Sequence, residues 1–195
     1  MSAETSLRRM NMSKVNMFFA EGFEEVEALT AVDLLRRAGV ETCMVSITGS
    51  LVVEGAHGIK VEMNELFEDI NEADCIVLPG GMPGTKHLKE HKGLAELILK
   101  AKEEGKLLAA ICAAPTVFGE LGILEGVKAT CYPGLEDKLL KAIVCRDTVV
   151  SDGQFVTSRG VGTAIDFALT LIERLCNKNI ADNISASIVY TEQDR

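Results

Sequence analysis

The sequence predicts an α/β protein, a mostly parallel sheet with helices on both faces. Three observations carry this. Apolar runs of strand length alternate with stretches of helical period along the chain. The loops between them are short, so successive strands run parallel through helical crossovers. The strands read at 73–78 and 106–111 are continuously apolar over 75–78 and 107–111, as in buried strands.

Residues 15–20 form the first apolar run. Residues 24–38 predict a helix, with Ala28, Ala31, Val32 and Leu35 at i, i+3, i+4 and i+7. Arg36 and Arg37 suit its last turn, and Gly39 can cap it. Residues 41–48 read as a strand, and 51–63, with Gly55 and Gly58, as a β-hairpin. The strand at 73–78 ends in Pro79-Gly80-Gly81-Met82-Pro83-Gly84. Leu94, Leu97, Ile98 and Ala101 mark a helix closed by Gly105. The run at 106–111 leads into Cys112, and a helix follows. Residues 128–132 read as a further strand. Asp152-Gly153 between two β-type runs signals a type I′ hairpin. Residues 163–176 form an amphipathic helix, and 180–190 a final short one.

The chain has 195 residues, consistent with one domain. Residues 1–13 are polar and read as a flexible extension, leaving 14–195 as the domain. A net charge of −9 argues against nucleic acid or an anionic membrane as partner. No apolar stretch is long enough to span a bilayer. Six cysteines show no CxxC pair and no zinc-like spacing, so reduced thiols in the cytoplasm are expected. No dinucleotide fingerprint or Walker A sequence occurs. Neither a cofactor nor a metal is expected.

In such sheets a site forms outside the carboxyl ends of the strands. Ala20-Glu21-Gly22, Pro79-Gly80-Gly81 and Cys112 all follow strand ends, so they should converge. Cys112, on a sharp strand-to-helix turn, reads as a nucleophile elbow. The helix dipole and free amides there favour its thiolate. Gly80 and Gly81 can form a tight turn, or offer amides to an oxyanion beside the thiol. Glu24 and Glu25 suit a helix N-terminus. Glu27, one turn in, faces the carboxyl edge and would keep its proton if buried. His87 and His91 lack a third ligand and read as a solvated helix start. His57 reads as a surface residue of the hairpin.

Four stretches together resemble the ThiJ/PfpI superfamily, and more narrowly its DJ-one subfamily. They are Phe19-Ala20-Glu21-Gly22-Phe23-Glu24-Glu25-Val26-Glu27, Val77-Leu78-Pro79-Gly80-Gly81, Ala109-Ala110-Ile111-Cys112-Ala113-Ala114-Pro115 and Thr157-Ser158-Arg159-Gly160-Val161-Gly162-Thr163. The resemblance runs from about residue 14 to 190. It implies a flavodoxin-like three-layer sandwich and a homodimer. It implies that Cys112 is the reactive cysteine, Glu27 its protonated glutamate, and Gly81 and Ala113 the amides facing the sulfur. It also implies oxidation of the thiol to a sulfinate.

Two departures from the family pattern stand out. Tyr132, in Thr130-Cys131-Tyr132-Pro133, replaces a histidine of relatives, and Ala113 replaces the histidine of protease-like members. A peptidase Cys–His pair is therefore missing. His57 falls where relatives carry an arginine, and is expected to approach the partner subunit's site. Tyr132 and His57 thus stand as accessory residues. The expected function is a cysteine-dependent glyoxalase or deglycase of the oxidative and carbonyl stress response, acting on methylglyoxal or glycated protein. The alternative is a non-catalytic redox sensor or stress chaperone.

Overall fold

The computed structural model describes residues 13–190. The extension expected at 1–13 lies, except for Ser13, outside the described residues. Ser13 itself is tied down: its hydroxyl donates to Leu175 O at 2.9 Å.

The chain runs β1 (Lys14–Phe19), α1 (Glu25–Arg37), β2 (Glu41–Ser46), β3 (Val52–Glu54), β4 (Lys60–Glu62), β5 (Glu65–Leu66) and β6 (Cys75–Leu78). It continues through α2 (Gly84–Glu90), α3 (Lys92–Glu103), β7 (Leu107–Ile111), α4 (Pro115–Glu120), β8 (Lys128–Ala129) and β9 (Ile143–Val144). It closes with β10 (Val149–Asp152), β11 (Phe155–Ser158), α5 (Ala164–Leu175) and α6 (Lys178–Ser187). The main sheet has the order β10-β11-β7-β6-β1-β2-β5. The β10–β11 pair is antiparallel, and the other neighbours are parallel.

The three layers follow from strand alternation. Val15, Met17 and Phe19 of β1 point to one face, where α1, α5 and α6 pack. Phe18 and Ala20 point to the other, into a core shared with residues of α3 and α4. Strands β6 and β7 alternate in the same way, so both cores are built from their continuous apolar runs. This is the flavodoxin-like sandwich. Helix α1 ends as its sequence predicts: Gly39 adopts φ +80, and the Gly39 and Val40 amides return to Arg36 O and Leu35 O.

Two expectations need correction, and one helix was not expected. Of the strand read at 128–132 only β8 forms, and it pairs with β9 outside the main sheet. Tyr132 N–H turns away to donate to Cys112 O at 2.8 Å. The β10–β11 hairpin is present, but its two loop residues are Gly153 and Gln154, and of these only Gly153 has positive φ. That pattern belongs to a II′ turn rather than I′. Helix α2 was not legible, because Leu88 is its one fully buried large apolar residue.

The chain leaves β1 for β2 on one side, while β6 and β7 lie on the other. The carboxyl ends of β1 and β6 therefore flank a topological switch point, where a crevice opens.

Candidate active site

Cys112 ends β7 as the sequence predicts. Its φ is +66, a strained value for a residue with a side chain. The neighbours hold it there. Its N–H donates to Ser158 O at the end of β11, and its carbonyl accepts from Tyr132 N–H. Pro115 then opens α4, where its missing N–H costs nothing. The result is a half-buried thiol lifted above the sheet edge.

Glu27 comes to it from the first turn of α1 and is 0% exposed. Its Oε2 accepts from Gly80 N–H at 3.0 Å. The carboxyl also hydrogen-bonds the Cys112 thiol. Its Oε1 is buried without a partner among the described residues. Burial pushes the Glu27 carboxyl up to about 7, with the charge of Glu24 adding to it. The bonds to Cys112 and Gly80 oppose this rise.

The thiol departs from expectation. Burial pushes Cys112 up to about 12, and charge on Glu27 and its hydrogen bond push the same way. The Ala113 and Gly81 amides do favour the thiolate, as predicted, but they are outweighed. Sulfur and carboxyl therefore behave as one unit sharing protons. Thiol plus carboxylate can pass to thiolate plus carboxylic acid without leaving the pair.

The glycines divide their roles. A Cβ at Gly80 would lie 2.5 Å from Cys112 Cβ and 2.6 Å from Glu27 Oε2. Only glycine lets sulfur and carboxylate meet here. The amide of Gly80 is engaged by Glu27, so its expected oxyanion role is not met. Gly81, at φ +91, turns its amide toward the sulfur, as does Ala113. The strand ends converge as expected: Glu24 N–H donates to Gly80 O at 2.9 Å, and Gly84 N–H to Gly22 O at 3.2 Å.

An open cavity of about 520 Å³ lies over the thiol. Glu24, Glu27, Gly81, Cys112, Tyr132 and Arg159 line it, with Pro133 and residues 160–163. Tyr132 reaches it as an exposed wall, with its ring next to Gly160. His57 does not line it. Its Nδ1 sits 2.8 Å from Glu25 Oε2, and its backbone N–H donates to Glu25 Oε1 at 2.7 Å. Glu25 therefore clamps the β3–β4 turn onto α1 instead of capping the helix. The remaining histidines are engaged elsewhere: His91 Nδ1 accepts from Leu94 N–H, and His87 Nδ1 contacts Glu21 O. Glu24, Glu25 and His57 are the one group among the described residues with three metal-capable side chains close together. The His57–Glu25 bond explains that grouping without an ion.

Arg159 and Glu24 line the cavity without having been expected there. Arg159 directly follows β11, so the strand-end rule that found Cys112 could have found it.

A cysteine elbow and a buried glutamate at the switch point of a doubly wound sheet define a class of thiol-bearing α/β proteins. The pattern of the DJ-1/PfpI family matches residues 13–174, and the chain belongs to this family. It is 42% identical to protein DJ-1 homolog B of Arabidopsis thaliana over 180 residues, 90% of this chain and 41% of that protein. The chain thus spans less than half of that relative. It is 34% identical to the deglycase PYRAB04690 of Pyrococcus abyssi, over 76% of this chain and 91% of that one. The structure of oxidized DJ-1 from Toxoplasma gondii superposes with a TM-score of 0.89 at 37% identity, covering 92% of this chain and 99% of that one.

Proposed function

We propose that this protein is a cysteine-dependent enzyme acting on reactive dicarbonyls, of glyoxalase or deglycase type. The observation that carries the reading is the fully buried Glu27 carboxyl, raised to about 7 and hydrogen-bonded to the Cys112 thiol. A proton carrier works best with a pKa near the working pH.

With methylglyoxal, Cys112 sulfur bonds to the aldehyde carbon as the thiol proton passes to the Glu27 carboxylate. The Gly81 and Ala113 amides steady charge on the aldehyde oxygen. Glu27 returns the thiol proton to that oxygen, which completes the hemithioacetal and restores the carboxylate; in the isomerisation that follows, this hydroxyl proton passes on to the neighbouring carbonyl oxygen. Glu27 then moves the aldehyde hydrogen, as a proton, to the neighbouring carbonyl carbon. Its unpartnered Oε1 is free for this step. The aldehyde carbon is oxidised and its neighbour reduced, leaving a lactoyl thioester. Water cleaves it to lactate and the free thiol. Glycated side chains would enter through the same addition to sulfur. The named Pyrococcus deglycase supports the class of reaction.

A homodimer in the cytoplasm belongs to this reading. Val26 on α1 and Leu51, Val52 and Ile59 on the hairpin are exposed and apolar, which supports a self-contact there. In that arrangement His57 would face the partner subunit. Sedimentation at the mass of two chains is expected, and a monomer at micromolar concentration would sink this part.

A second reading, a redox sensor or stress chaperone, is favoured by the oxidized relative and by the amides around the sulfur. Mild peroxide would then convert Cys112 to sulfinate before the other cysteines, as peptide mass spectrometry would show.

The enzyme reading is tested by lactate formation from methylglyoxal. Wild type is expected to exceed the Cys112→Ser background, and equality of the two would end this reading.

A further inference from the structure

We propose that Arg159 forms an anion subsite at the rim of the Cys112 cavity, selecting dicarbonyl substrates that carry a carboxylate a few bonds from the aldehyde. This deepens the reading above and rests on it for chemistry, but not for binding.

The cavity wall carries three charged side chains, of which Glu24 and Glu27 are carboxylates and Arg159 is the cation. Arg159 Nη1 donates to Arg146 O at 2.6 Å. This fixes the guanidinium, yet no ion pair within 4 Å engages it among the described residues. A guanidinium has five N–H donors, so most remain for a ligand. In a chain of net charge −9 such a cation is conspicuous.

Its placement sets the length of the ligand. Arg159 follows β11, and its guanidinium is tied to Arg146 O, outside the cavity lining, so it sits at the rim on that side. An anion directly beside Cys112 would meet the Glu27 and Glu24 carboxylates instead. The field thus orients a ligand, with its carbonyl toward Glu27 and its carboxylate toward Arg159. A cavity of about 520 Å³ accommodates such a short acid. Arg159 is held from behind as well: its backbone N–H donates to Thr163 Oγ1 at 3.3 Å. Tyr132 walls the same cavity.

The probe is 4,5-dioxopentanoate, methylglyoxal's dicarbonyl on a carboxylated tail. Isomerisation with one water would give 2-hydroxyglutarate, with no outside oxidant or reductant. Addition to sulfur is read separately, as protection of Cys112 from iodoacetamide. The wild type should be protected by the acid at about tenfold lower concentration than by methylglyoxal, the range of one charge-assisted hydrogen bond. That ratio should fall toward one in Arg159→Gln and be partly kept in Arg159→Lys. It should also shrink with added salt in the wild type, which tests the idea without any variant. A ratio insensitive to both Arg159 and salt overturns the subsite, even if lactate forms. A ratio that depends on Arg159, without hydroxy-acid product, supports the subsite and overturns the enzymatic reading alone.

Discussion

Glu25 and Glu27 sit two positions apart on α1, at 3% and 0% exposure, yet their carboxyls move in opposite directions. Burial pushes both upward. For Glu25 it is overcome by the bond to His57 and by backbone bonds, so its carboxyl falls below the usual range. Glu27 has one amide and one thiol, and an oxygen with no partner among the described residues, so burial wins. The lesson is that burial alone does not make a chemical group. Glu25 is a structural charge locking a hairpin, while Glu27 is left under-solvated where a proton can move.

The largest effect expected is on turnover. Glu27→Gln keeps the shape but loses the proton carrier, and should lower lactate formation by about 100-fold or more. Glu25→Gln should leave turnover within about threefold, because Glu25 does not line the cavity. Equal losses in the two variants would erase the distinction. The pH profile of kcat/KM should rise through about 7 as Glu27 becomes a base.

Stability should separate the pair with opposite signs. A carboxyl whose folded pKa is raised binds more protons folded than unfolded, so it costs stability as pH rises from about 4.5 toward 7. Glu27→Gln removes that cost and should stabilise by roughly 1–3 kcal/mol at pH 8, with the gain fading at pH 5. Glu25→Gln should instead destabilise by about 1–2 kcal/mol. Glu25, with a lowered pKa, contributes above its unfolded value, near 4.5. His57, with a raised one, contributes below 6.5 and loses this as pH rises through its folded value. The Glu25→Gln deficit should therefore peak between those limits and shrink at pH 8. Denaturant titrations at pH 5, 6 and 8 would read both variants.

Gly80→Ala tests the close approach itself. The methyl would overlap Cys112 Cβ and Glu27 Oε2, costing about 1–3 kcal/mol and separating thiol from carboxyl. A Gly80→Ala protein with wild-type melting and turnover would contradict the packing.

Much of this was legible before the structure. Strand-length apolar runs set the layers, strand ends placed Gly81 and Cys112 together, and Glu27 was read from its place one turn into α1. Three things were not. The rise in the Cys112 pKa depends on burial and on the charge of Glu27, which spacing along the chain does not reveal. Glu25 read as a helix-start acid because its partner His57 lies on a hairpin brought back by tertiary docking. Helix α2 carried too little apolar period to be seen.

The most direct test is a difference infrared titration of the carboxyl C=O stretch, wild type minus Glu27→Gln. Glu27 is expected to appear as a buried carboxylic acid that loses its proton near pH 7. A midpoint near 4.5, that of an ordinary glutamate, would contradict it.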